Sequence, residues 1–170
     1  RLTRFADARA KKAEEAMRKL NLAPKQLART AARTGRASTG GPLELLATAA
    51  DGSIDPRFER LGLSLARMNS LERALEGIPH VVPAAQEKIT SDFGYRRDPF
   101  NGRGAMHGGI DFKGGINSPI FAAATGEVVF AGWKGGYGRV IDIRHANGMV
   151  TRYAHLYRIG VKVGDAVQAG

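Results

Sequence analysis

The segment from Arg139 to His155 decides the fold of this chain. It reads Arg139-Val140-Ile141-Asp142-Ile143-Arg144-His145, then Ala146-Asn147-Gly148, then Met149-Val150-Thr151-Arg152-Tyr153-Ala154-His155. Apolar and polar residues alternate on both sides of the turn, which is the period of a strand with one buried face. Asn and Gly accept positive φ values, so an Asn-Gly pair between alternating segments indicates a β-hairpin. The sequence therefore predicts two antiparallel strands here.

Further short strands are predicted around this hairpin, from Val81 onward. Three apolar runs, 89–94, 119–122 and 127–131, have strand composition, and Val161, Val163 and Val167 predict another strand around a Gly164-Asp165 turn. Of the 22 glycines, 16 lie after position 80. We therefore expect an antiparallel β domain with glycine-rich loops.

The residues before position 80 have helical spacing instead. A rather polar helix is predicted over 1–20, with a thin apolar stripe of Leu2, Phe5, Ala13, Ala16, Met17 and Leu20. A second helix is predicted to begin at Pro24 and end at Gly35, followed by a loop over 36–42. A third begins at Pro56 and stops at Gly77 and Pro79, with apolar positions Phe58, Leu61, Leu65, Met68, Leu71 and Leu75. This last stripe needs a partner helix or the following domain.

The predicted fold class is therefore α+β, a helical N-terminal region followed by a compact antiparallel β domain. We expect a helical, coiled-coil-like extension over 1–80 and the β domain over 81–170. The 170 residues suffice for one small domain with an appendage. The absence of Cys excludes disulfide scaffolds and thiol nucleophiles, and no apolar run is long enough to span a membrane. The chain begins without Met or a signal pattern, so we interpret it as a fragment.

The charge balance favours an anionic partner. The chain has 26 Lys and Arg against 16 Asp and Glu, a net charge of +10 that is spread over both regions. Nucleic-acid binding would call for a basic helix or for basic residues interleaved with stacking aromatics, and neither pattern is clear. We therefore predict a partner other than nucleic acid.

Among the four histidines, His107 has the most informative surroundings. Asp111 lies four residues after it, with two glycines between them that disfavour a helix, and an imidazole with a carboxylate can bind zinc. The alternative is an ordinary hydrogen-bonded pair. His155 lies at a strand end, where it would serve as a third ligand, a base or a hydrogen-bond donor to the transition state. His80 is expected to be solvated in a linker, and His145 to be structural.

Five segments in fixed order resemble the lysostaphin/LytM-type zinc metallopeptidases. They are 91–99 (SDFGYRRDP), 106–112 (MHGGIDF), 119–129 (PIFAAATGEVV), 136–138 (GYG) and 153–156 (YAHL). This resemblance covers residues 89–170 and implies a compact antiparallel β domain. It also implies that His107 and Asp111 are two of three zinc ligands, and that His155 is a catalytic histidine outside the metal's ligand shell. The family's H-x-H pair, which supplies the third ligand, would follow Gly170.

The resemblance implies a zinc-dependent endopeptidase that hydrolyses peptide cross-links of bacterial peptidoglycan in the cell envelope. The partners would be stem peptides or cross-bridges. Further hypotheses concern the regions outside the β domain. The protein would be anchored in a membrane through residues upstream of Arg1. The helices would associate with each other or with a partner protein, or would form an inhibitory cover. The alternative function is a non-catalytic activator or scaffold of cell-wall hydrolases. A third interpretation rests on half-motifs similar to biotinyl and lipoyl carrier domains, which need a lysine at a hairpin tip.

Overall fold

Three helices precede eight short strands in the computed structural model, which describes residues 1–34, 55–84, 89–97 and 104–170. The helices are α1 (Leu2–Lys19), α2 (Pro24–Thr34) and α3 (Pro56–Glu76). The strands are β1 (Ile89–Ser91), β2 (Gly94–Arg97), β3 (Gly104–His107), β4 (Asp111–Phe112), β5 (Gly126–Lys134), β6 (Gly138–His145), β7 (Val150–Tyr153) and β8 (Ala166–Val167). All strand pairs among the described residues are antiparallel, which confirms the α+β class.

The third helix begins where its sequence predicts. Asp55 caps it by accepting a hydrogen bond from the backbone N–H of Arg57 at 2.8 Å, and Pro56 occupies the first turn, where it removes no helical hydrogen bond. The Arg57 side chain also hydrogen-bonds this carboxylate and lowers the pKa of Asp55 to about 2. Gly77 ends the helix as expected. The predicted loop over 36–42 lies outside the described residues.

The buried face of the first helix consists mainly of small side chains. Its buried residues are Ala6, Ala10, Ala13 and Met17. Of the predicted apolar stripe, Ala13 and Met17 are buried, whereas Leu2, Phe5 and Leu20 are 65%, 56% and 57% exposed. Alanine side chains let a neighbouring helix approach closely, so this face packs and the larger residues remain at its margin.

The three helices share one apolar core. It consists of buried residues from each helix: Ala10, Ala13 and Met17 from α1, Ala31 from α2, and Leu71 and Ala74 from α3. Two ion pairs on the rim link α1 to α3: Arg9 with Glu72 at 2.6 Å and Arg67 with Glu14 at 2.7 Å. The partner expected for the α3 stripe, a helix or the following domain, is thus helical for Met68, Leu71 and Leu75, whereas Phe58 and Leu65 are exposed. None of the helices in the described ranges is long and apolar enough to cross a membrane.

The predicted hairpin supplies a central strand, β6, and an edge strand, β7, of a four-stranded sheet with strand order β7-β6-β5-β8. Across the hairpin, Arg144 pairs with Val150 and Ile141 with Tyr153, so the turn lies at 146–149. On the other side of β6, Gly126 pairs with His145 and Lys134 with Gly138. Val128, Ile143 and Tyr153 form the buried centre of this sheet.

Three strand predictions need correction. The run 89–94 divides into β1 and β2 because the two pair with different strands, β4 and β3, and Gly94 has φ 143°. The run 119–122 is not a strand: Pro119 lacks an N–H, and Phe121 bonds to the carbonyl of Pro83 in a connecting segment. Of the segment predicted over 161–167, only Ala166–Val167 is a strand.

The helices contact the β region at the hairpin turn. Asn147 is 4% exposed, and its side-chain amide donates to the Ala74 carbonyl at 3.4 Å. A Cβ at Gly77 would lie 3.0 Å from the Asn147 Cγ, so the backbone of α3 approaches the turn closely. The hairpin tip is therefore covered and carries no lysine, which disfavours the carrier-domain interpretation.

Candidate metal centre

His107 and Asp111 come from two different small sheets. His107 ends β3, which pairs with β2, and Asp111 begins β4, which pairs with β1. The glycine-containing turn 108–110 joins the two strands, as expected from a His-Gly-Gly sequence that enters a strand. This short connection brings the two side chains to the same place.

The hydrogen bonds of His107 fix its tautomer. Its Nδ1 lies 2.8 Å from the backbone carbonyl of Asp92. A carbonyl only accepts hydrogen bonds, so Nδ1 carries the proton and, in the neutral ring, Nε2 presents a lone pair. That Nε2 lies 3.2 Å from the Asp111 Oδ1, and the His107 side chain is 17% exposed. A backbone carbonyl bonded to the far nitrogen is the arrangement that orients metal-binding histidines.

The pair fits part of a zinc site. Two ligands each about 2.0–2.1 Å from a tetrahedral zinc lie about 3.3 Å apart, close to the spacing found here. A lone pair and a carboxylate oxygen facing each other also call for a cation or a proton between them. Among the residues that the structure describes, no group of three His, Cys, Asp or Glu is placed to hold a metal. His155 is accordingly not placed as a third ligand.

His155 follows β7, in the four-stranded sheet. Its φ is 54°, a left-handed conformation that is uncommon for residues other than glycine. Its backbone N–H donates to the Tyr137 carbonyl at 2.8 Å, which ties it to the turn between β5 and β6. The residue is exposed. An exposed imidazole on a fixed backbone is available to a bound substrate.

The sequence alone did not identify an ion pair three residues before His155. Arg152 forms a two-pronged ion pair with Asp142, with both N···O distances at 2.7 Å, and its guanidinium lies 4.8 Å from the centre of the Tyr137 ring. The hydrogen bond from Arg152 holds the pKa of Asp142 below its usual range. The sequence does contain a signal for this ion pair: counting outward from the Asn-Gly turn along both strands places Asp142 opposite Arg152.

The other two histidines, His145 and His80, are buried and exposed, respectively. His145 is 1% exposed, with Nδ1 2.9 Å from the Thr125 carbonyl and Nε2 2.9 Å from the Thr151 hydroxyl, which confirms its predicted structural role. His80 is exposed, as predicted, and its Nδ1 lies 2.8 Å from the Ile78 carbonyl.

Comparisons with known proteins converge on one family. The sequence profile of peptidase family M23 matches residues 105–170. The DD-carboxypeptidase/endopeptidase Mpg of Neisseria meningitidis is 44% identical over 77 residues, 45% of this chain and 18% of that protein. The peptidoglycan DD-endopeptidase ShyB of Vibrio cholerae is 38% identical over 103 residues, 60% of this chain and 24% of that protein. The chain thus spans less than a quarter of these relatives.

A similar solved structure is the catalytic domain of the antimicrobial peptidase lysostaphin from Staphylococcus simulans. It is 35% identical, covers 52% of this chain and 70% of that domain, and has a TM-score of 0.46.

Proposed function

Because the chain belongs to peptidase family M23, the LytM/lysostaphin type, we propose that it is part of a zinc-dependent endopeptidase that hydrolyses peptide cross-links of bacterial peptidoglycan. The observation that carries the proposal lies within the matched segment. The Nε2 of His107 faces the Asp111 carboxylate at 3.2 Å, while Nδ1 is held by the Asp92 carbonyl. The relatives named as peptidoglycan endopeptidases support the substrate class.

The chain's own residues divide the work. Zinc, when bound, supplies a Lewis acid that polarises an amide carbonyl and makes water nucleophilic near neutral pH. His107 and Asp111 would hold it, and the Asp92 carbonyl would keep the His107 ring in the correct tautomer. His155 would donate a hydrogen bond to the oxygen on which negative charge develops. The remaining ligand would come from outside the described residues, as the family's H-x-H pair implies.

The net charge and the substrate suggest a location. A charge of +10 favours binding to an anionic wall matrix, and peptidoglycan lies outside the cytoplasmic membrane. We therefore place the protein in the bacterial cell envelope, with stem peptides or cross-bridges as its partners. Anchoring upstream of Arg1 and association of the helices, with each other or with a partner protein, remain proposals.

The alternative function is a non-catalytic activator or scaffold of cell-wall hydrolases. It would hold if no residue outside the described ranges completed the pair of His107 and Asp111, which have no third metal-binding neighbour within those ranges. An activator would retain the fold, bind its partner and leave peptidoglycan intact.

The deciding experiment is digestion of purified peptidoglycan by the whole protein that contains this chain. We expect wild-type protein to release uncrosslinked fragments, and His107→Ala to lower the rate by at least about a thousandfold, because a catalytic zinc site with a missing ligand loses its metal. His80→Ala is the matched control, since the His80 side chain is exposed and its Nδ1 hydrogen-bonds to the Ile78 carbonyl. Equal digestion by wild type and His107→Ala, or none by either, would overturn the proposal.

A further inference from the structure

The backbone around His155 is held by hydrogen bonds to one neighbouring segment, residues 137–139. The His155 N–H donates to the Tyr137 carbonyl at 2.8 Å, and the Leu156 N–H donates to the Arg139 carbonyl at 3.0 Å. The Arg139 guanidinium in turn donates to the Tyr157 carbonyl at 3.0 Å. The left-handed φ of His155 persists only where surrounding contacts enforce it, so the position of Tyr137 matters for the imidazole.

Tyr137 lies in a glycine-rich turn, in which its N–H donates to the Lys134 carbonyl at 3.0 Å. Gly135 and Gly136 precede it and Gly138 follows, with φ values of 77° at Gly136 and 64° at Gly138. Glycine has the greatest backbone freedom of any residue, so a side-chain contact from outside the turn adds to this hydrogen bond in keeping one conformation. The ring of Tyr137 supplies that contact, since the Arg152 guanidinium lies 4.8 Å from its centre.

Arg152 can serve as this contact because it is itself fixed. Its Nε and Nη2 each lie 2.7 Å from an oxygen of Asp142, directly opposite on β6. The Asp142 side chain is 10% exposed and that of Arg152 34%. A planar guanidinium held at two points keeps one orientation, which a lysine ammonium in its place would not.

We propose that Arg152 is a positioning residue that acts through Tyr137: Asp142 orients its guanidinium, the guanidinium fixes the Tyr137 ring, and the Tyr137 carbonyl holds the backbone of His155. The inference deepens the proposed function, on which it rests only for the role of His155 in hydrolysis. The contacts of the Arg152 side chain described above are with Asp142 and Tyr137, so we expect its effect to reach the reaction through the placement of the imidazole.

The test is hydrogen exchange of the His155 amide, followed by NMR in the folded chain. Arg152→Ala is expected to accelerate this exchange at least about tenfold, because the hydrogen bond to Tyr137 opens more often. The amides of Val140 and Ile143, in the centre of the sheet, are expected to change less than about twofold. Arg144→Ala is the matched control, since Arg144 is an exposed arginine at the other end of β6.

Two further variants show whether Arg152 acts through Tyr137. Tyr137→Leu removes the aromatic ring, and its effect combined with Arg152→Ala is expected to equal that of either change alone, because both break one chain of contacts. Arg152→Lys keeps the charge but is expected not to restore protection. Exchange of His155 unchanged in Arg152→Ala, or effects that multiply in the double variant, would overturn the proposal.

A second, independent test measures the activity of the whole protein. If the proposed function holds, Arg152→Ala lowers kcat for peptidoglycan digestion and leaves KM within about twofold, since the imidazole acts in the transition state. A wild-type protein that does not digest peptidoglycan would refute the proposed function, while the exchange measurement would still decide the positioning role of Arg152.

Discussion

At the scale of single residues, the ion pair of Asp142 and Arg152 makes a prediction about stability. The hydrogen bond from Arg152 lowers the pKa of Asp142 in the folded state, so the unfolded chain binds a proton there more readily. The pair therefore stabilises the fold fully above the unfolded pKa of about 3.9, and this contribution is lost as the pH falls through the lower folded value. Asp142→Asn is expected to lower the free energy of unfolding by about 1–3 kcal/mol at pH 7.

The measurement is urea unfolding of wild type and Asp142→Asn at pH 7 and at pH 3. The difference between them is expected to be smaller at pH 3, because this pH lies below the unfolded pKa and the Asp142 carboxylate of the unfolded wild-type chain is then largely protonated. Glu15→Gln, at an exposed position of α1, is the control and should change stability at neither pH. Equal stability of wild type and Asp142→Asn at pH 7 would contradict this account.

At the scale of elements, local signals predicted the helices and the hairpin better than the short strands. Pro56 and Gly77 mark the two ends of α3, and an Asn-Gly turn joins β6 to β7. These signals act within a few residues and are therefore visible in the sequence. The division of 89–94 into β1 and β2 depends instead on which distant strand each half pairs with, and sequence periodicity carries no such information. The same holds for α1, where packing on α3 selects the alanine face.

The candidate site shows the same division. The spacing of His107 and Asp111 indicated a pair, and the structure places their side chains 3.2 Å apart. The Asp92 carbonyl that fixes the His107 tautomer lies 15 residues away in sequence and is a backbone atom, so no residue pattern could reveal it. The metal-binding role of the pair and the catalytic role of His155 stay predictions.

At the scale of the whole molecule, the helices and His155 lie at opposite ends of the four-stranded sheet. The helices contact the turn at 146–149, whereas His155 bonds to Tyr137 in the turn between β5 and β6. The eight residues of β6 separate these ends by about 25 Å. These contacts favour a structural appendage over an inhibitory cover.

Deletion of residues 1–80 from the whole protein tests this arrangement. We expect the rate of peptidoglycan digestion per folded molecule to stay within about twofold, and the melting temperature to fall, because Asn147 and Ala146 lose their helical covering. Circular dichroism gives the folded fraction for the comparison. Digestion several times faster without the helices would show that they cover the site after all.

The most direct test of the central claim is the zinc content of the whole protein, measured beside His107→Ala and the His80→Ala control. We expect about one zinc per chain in wild type and in His80→Ala, and less than about a tenth of that in His107→Ala, because the proposed site uses the imidazole Nε2 as a ligand. No zinc in wild type, or the same zinc content in His107→Ala, would contradict it and leave His107 and Asp111 as a hydrogen-bonded structural pair.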